Sequence, residues 1–74
     1  MELTPVSREA ATGAMLRRAR ERQGISCRTL ATRLGWDHSE LSRIERGRVT
    51  PLSRYEQIAR ALGLEMAIRF RRAA

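Results

Sequence analysis

A chain of 74 residues with 15 basic and 8 acidic side chains, formally +7, holds one small and strongly basic domain. It has no run of about 18 apolar residues to span a membrane, and its N-terminus lacks the basic-then-apolar pattern of a secretory leader. One cysteine and one histidine exclude an intrachain disulfide framework or zinc site. Every basic residue is arginine; a coding bias accounts for that choice but not for the excess of positive charge, which points to a polyanionic partner, most often nucleic acid. At this length a folded monomer hides only about 60% of its surface, so the core is thin and a second subunit would stabilise it.

Four segments carry apolar residues at helical spacing between recognisable stops. The first runs from about Ser7 to Gln23, with Met15, Leu16 and Ala19 inward and Gly24 as stop; Thr4-Pro5, Ser7 and Thr12 are alternative starts. The second spans Cys27 to Leu34, capped by Ser26 and stopped by Gly35, with Leu30, Ala31 and Leu34 inward. The third spans His38 to about Arg46, with Asp37 and Glu40 as a capping box, Leu41 and Ile44 inward and Gly47 as stop. The fourth spans Arg54 to Leu62, with Ser53 and Glu56 as a second capping box, Tyr55, Ile58, Ala59 and Leu62 inward and Gly63 as stop. Arg46 to Ser53 is the longest loop.

From Leu64 to Arg71 the period changes from 3.6 to 2. Leu64, Met66, Ile68 and Phe70 fall on one face, and Glu65, Ala67, Arg69 and Arg71 on the other, which is a strand pattern. The chain offers no second strand to pair with it. A second copy of the same segment would satisfy one edge, with Met66, Ile68 and Phe70 packed on the helices; a frayed helix or a tail is the alternative.

Gly35-Trp36-Asp37 joins the second and third helices, and two short helices with a glycine-led turn of this length make a helix-turn-helix. The third helix then presents His38, Ser39, Ser42, Arg43 and Arg46 opposite Leu41 and Ile44. Such a face fits the major groove, where arginine reads guanine O6 and N7 as a fork; a solvated helix face is the plainer reading of the same pattern.

Leu16-Arg17-Arg18-Ala19-Arg20, Gly24-Ile25-Ser26, Leu30-Ala31, Leu34-Gly35 and Leu41-Ser42-Arg43-Ile44-Glu45-Arg46-Gly47 resemble the lambda-repressor-like, Xre-family helix-turn-helix over about Met15 to Leu64. Leu52-Ser53-Arg54-Tyr55 and Ala61-Leu62-Gly63-Leu64-Glu65-Met66, followed by a strand pattern, are similar to HipB-like and HigA-like antitoxin repressors, in which C-terminal strands of two subunits pair across the dimer. The resemblance implies that His38, Ser39, Ser42 and Arg43 face base edges. It places Arg46, Arg48 and Thr50, with the second-helix start at Cys27, at the phosphate backbone, pairs Arg20 with Glu45, and puts Leu64, Met66, Ala67, Ile68 and Phe70 in the dimer interface. Arg28, at the start of the second helix, reads as a further phosphate contact, with a solvated shell as the alternative. Two positions depart from the family: Cys27 stands where glutamine often bonds a phosphate, and Trp36 where valine or isoleucine is usual. A thiol is a weak donor, so the contact at Cys27 reduces to the helix N-terminus, while Trp36 reads as a half-buried cover of the core.

Cys27 at a helix N-terminus beside arginines is either a thiol of lowered pKa or an inert one. His38 is either a pH sensor or a simple donor on the reading face. Neither has the partners of a nucleophilic site, and Arg8, Arg17, Arg18 and Arg22 read as phosphate contacts or as a solvated shell. The expected architecture is all-α, with four to five helices: an arm or helix start over 1–12, the helix-turn-helix domain over 13–63, and a dimerising strand and basic tail over 64–74. The expected function is a cytoplasmic, non-enzymatic transcriptional repressor without cofactor or metal. It binds a palindromic double-stranded operator as a homodimer and acts as the antitoxin of an operon with a kinase-like toxin. The alternatives are a protein-interaction module that neutralises a toxin, and a phage or restriction-modification controller.

Overall fold

Leu16, Leu30, Ala31, Leu41, Ile44, Tyr55, Ile58, Ala59 and Leu62 converge from four helices on one buried core. The computed structural model describes residues 8–72, and the helices are α1 (Arg8–Arg22), α2 (Cys27–Leu34), α3 (His38–Glu45) and α4 (Leu52–Ala61). The proposed starts at Thr4-Pro5 and Ser7 lie outside the described residues. α3 packs against both α1 and α2, and α4 closes the core against α2 and α1.

All four helices end with the same pair of backbone bonds. For α2, Gly35 N–H donates to Thr32 O at 3.1 Å and Trp36 N–H to Ala31 O at 2.9 Å. This closure needs a left-handed residue, and Gly35 takes φ +73° without the penalty a Cβ would bring.

Four local expectations give way to tertiary packing. Met15 is not in the core of α1 but 64% exposed. The buried stripe of α1 is Gly13, Leu16 and Arg20, because an arginine neutralised by a carboxylate can occupy an inner position that hydropathy assigns elsewhere. The capping box of α3 does not form: Asp37 Oδ1 accepts the Ser39 N–H at 3.3 Å, and the Glu40 carboxylate turns away to bond Arg48 and Arg54. The capping box of α4 is also absent, because the helix begins two residues early, at Leu52, with Pro51 before it and no side-chain cap. Pro51 holds φ at −57° and lacks an N–H, so the chain enters the helix prearranged.

The tail is the fourth difference. Within one chain, residues 64–72 carry no regular secondary structure. Met66 packs against the core, but Ile68 is exposed and Phe70 is 95% exposed. Within the single chain only Met66 of the three packs on the helices; the packing expected of the paired ribbon involves a second copy.

Candidate nucleic-acid interface

The helix-turn-helix is built by caps on either side of its turn. Ser26 Oγ accepts the Thr29 N–H at 3.0 Å and starts α2, while Asp37 starts α3. The Ser39 N–H bond lowers the Asp37 pKa, so the cap is anionic at neutral pH. Ala31, 1% exposed, leaves room for α3 to cross α2 closely. Trp36 is half-buried against the core and lies under the Arg54 guanidinium, 5.1 Å from the ring centroid. The tryptophan thus links the turn to the start of α4.

A second attachment fixes the other end of α3. Arg20 Nε donates to Glu45 Oε2 at 2.7 Å, and Arg20 Nη2 donates to Glu45 Oε1 at 2.8 Å. The third nitrogen, Nη1, donates to Ile25 O at 2.8 Å. One buried guanidinium therefore joins α1, the α1–α2 turn and α3, in the bidentate geometry that arginine and carboxylate favour. The bond to Glu45 raises the Arg20 pKa against the opposing effect of burial. Gly13 makes this crossing possible, because a Cβ there would collide with the carbonyl oxygen of Ile44.

With Leu41, Ile44 and Glu45 buried, the opposite side of α3 carries Ser39, Ser42, Arg43 and Arg46. Arg43 and Arg46 are exposed, while Ser39 and Ser42 are half-buried, close to the backbone they cover. His38 is exposed and lies on one flank of this face. Its Nδ1 is 3.7 Å from Asp37 Oδ1. Glu40 lies on the other flank, where its Oε2 accepts from Arg48 Nη1 at 3.2 Å and its Oε1 from Arg54 Nη1 at 3.1 Å. Arg43 Nη1 is 3.9 Å from the same carboxylate.

Arg28 is exposed on the first turn of α2, and Arg48 and half-buried Thr50 sit on the loop after α3. Cys27 is half-buried, and its thiol donates to His38 O at 3.7 Å. Burial pushes its pKa up, and Glu45 adds to this against the weaker pull of Arg20, Arg17 and Arg28. The thiol therefore stays protonated at neutral pH, contrary to a lowered pKa at this helix start. Arg17 forms an exposed ion pair with Glu21, Nε to Oε1 3.6 Å, within α1.

Sequence reasoning missed Gly13 and the arginine partners of Glu40. Gly13 did leave a signal: a glycine inside a helix costs about 1 kcal/mol relative to alanine, so its presence asks for a packing reason. The partners of Glu40 left none, since Arg48 and Arg54 are 8 and 14 positions away and reach it only through the fold.

No described helix is long and apolar enough to cross a membrane. Among the described residues, no group of three or more histidines, cysteines or carboxylates is placed to hold a metal ion. No curated protein matches the chain. Residues 11–69 match the helix-turn-helix domain family. That stretch contains the capped α2, the Gly35 turn, the braced α3 and its exposed arginines, and the chain belongs to the family of helix-turn-helix domains.

Proposed function

We propose that the protein is a transcriptional repressor that binds a palindromic operator in double-stranded DNA as a homodimer. The carrying observation is the reading face of α3: Ser39, Ser42, Arg43 and Arg46 stand on a helix held at its start by the turn and at its end by the Arg20–Glu45 fork. A rigid mount of this kind supports base readout, which needs a side chain fixed in the groove. In this reading Ser39, Ser42, Arg43 and flanking His38 meet base edges, and Arg28, Arg46, Arg48, Thr50 and the α2 N-terminus at Cys27 meet phosphates. A cytoplasmic location follows from the DNA target.

The dimer contact in this proposal is the tail. Leu64, Ile68 and Phe70 leave apolar surface in water on a domain with a thin core. An antiparallel pairing of residues 64–71 with their own copy, its axis near Ala67, covers that surface. It also spaces the two recognition helices at about one DNA turn, roughly 34–36 Å. The antitoxin role rests on the likeness of residues 52–66 to HipB-like and HigA-like repressors, and a kinase-like toxin is the partner it implies. The same exposed apolar residues favour the second reading, a module whose main task is to neutralise a partner protein; a phage or restriction-modification controller would share the DNA mode without that partner.

The deciding experiment selects duplexes from a random-sequence pool and titrates the selected and a scrambled duplex at rising salt. A repressor retains a selected sequence, and its affinity falls by about 10³–10⁵ between 50 and 200 mM salt if six to ten phosphates are neutralised. Arg43→Ala lowers affinity for the selected duplex by about 1–3 kcal/mol and leaves the scrambled one nearly unchanged. Failure to enrich any sequence, with tight binding to a protein partner instead, establishes the interaction module.

A further inference from the structure

We infer that Glu40 determines specificity at the DNA-facing surface, by holding Arg48 and Arg54 on its own carboxylate and restraining their capture of phosphate. The inference rests on the DNA-binding reading of this face. One carboxylate faces three guanidiniums: those of Arg48 and Arg54 within hydrogen-bonding distance, and that of Arg43 at 3.9 Å. The Glu40 side chain is 29% exposed, so solvent and an approaching polyanion reach it. Arg54 is fixed further by its position over Trp36. Asp37, the nearby acid on α3, is engaged with the Ser39 N–H at the helix start.

Non-specific affinity is set by the phosphates that arginines neutralise. Here, an arginine must leave Glu40 or share it before it meets a phosphate. The carboxylate also stays beside the backbone as a repelling charge. Both effects weaken binding to any duplex, whereas contacts from Ser39, Ser42 and Arg43 are gained only on the correct sequence. Glu40 therefore lowers affinity for random DNA more than it lowers affinity for the operator.

Glu40→Gln keeps the shape and one acceptor and removes the charge; Glu40→Asp keeps the charge. The probes are a duplex selected by the wild-type protein from a random pool and a scrambled duplex of equal length, each titrated from 50 to 200 mM salt, with a thermal melt of each variant. Glu40→Gln is expected to bind the scrambled duplex tighter at low salt by roughly fivefold per protomer, about 25-fold for the dimer, the weight of one unit charge per protomer about 4 Å from a phosphate in water. Its log-affinity slope steepens by about one unit per protomer, and its ratio of selected to scrambled affinity falls. Glu40→Asp stays near the wild-type slope and ratio. Unchanged slope and ratio in Glu40→Gln overturn the inference, as does equal weakening on both duplexes with a lowered melting temperature, which marks Glu40 as a brace only. Failure of the wild-type protein to bind either duplex overturns the DNA reading itself, and this inference with it.

Discussion

The two ends of the molecule handle their difficult residues in opposite ways. At the α1–α3 crossing, two ionised side chains are buried, Arg20 at 8% exposure and Glu45 at 6%, and each satisfies the other with two short hydrogen bonds. At the tail, apolar Ile68 is 51% exposed and Phe70 95% exposed. Charge inside and hydrocarbon outside reverse the usual distribution. The buried pair shows that a charge can occupy a core position when its partner is built into the fold. The tail shows that an alternating apolar pattern does not by itself bury its face within a single chain.

The comparison predicts that stability resides in the crossing and not in the tail. Glu45→Ala leaves Arg20 buried and unpaired and is expected to cost about 3–5 kcal/mol, read from chemical denaturation. A loss below 1 kcal/mol would show that water reaches Arg20 and that the fork does not brace α3. Gly13→Ala presses a methyl group into the Ile44 carbonyl and forces α1 away from α3. The expected cost is about 1–3 kcal/mol, with normal helix content by circular dichroism. A stabilised Gly13→Ala protein would mean that helix propensity outweighs the close approach.

Removal of the chain after Gly63 is milder for the protomer, because of the tail's apolar residues only Met66 packs on the core; a loss of about 1 kcal/mol is expected. The dimer proposal adds a second signature. The melting temperature of the full chain rises with protein concentration, and that of the truncated chain does not. If both chains melt independently of concentration, and the truncated one still runs as a dimer, the contact lies on the helices instead.

The smallest effect concerns pH. The Ser39 N–H bond lowers the pKa of Asp37 in the folded state, so its contribution is full above the unfolded value near 3.8 and is lost as pH falls through the lower folded value. Asp37→Asn is expected to flatten this acid-side loss in a denaturation series between about pH 5 and 2, with little change at pH 7. An identical acid limb in the variant would remove the cap from the account of α3.

Much of the fold was legible because its signals are local. Leu30 with Ala31, Leu41 with Ile44, and Tyr55 with Ile58, Ala59 and Leu62 follow helical spacing, and the glycines at 24, 35, 47 and 63 mark where each helix closes. A cap, a stop or an apolar stripe acts within one or two turns, so a short window of sequence determines it. The polar side of α3 is legible for the same reason, since burying Leu41 and Ile44 leaves Ser39, Arg43 and Arg46 on the other side. Leu16 and Ala19 of α1 face the core as their spacing predicts, and tertiary structure alone decided that Arg20 and not Met15 joins them, which acid each arginine meets, and why Gly13 lies inside a helix. Those outcomes depend on how α1, α3 and α4 cross. Arg20 and Glu45 are 25 positions apart, and Glu40 and Arg54 are 14 apart. The pairing of Arg20 with Glu45 was therefore suggested only by resemblance to a family, and the ties from Glu40 to Arg48 and Arg54 by nothing in the sequence, because no local rule links side chains that only the packed helices bring together.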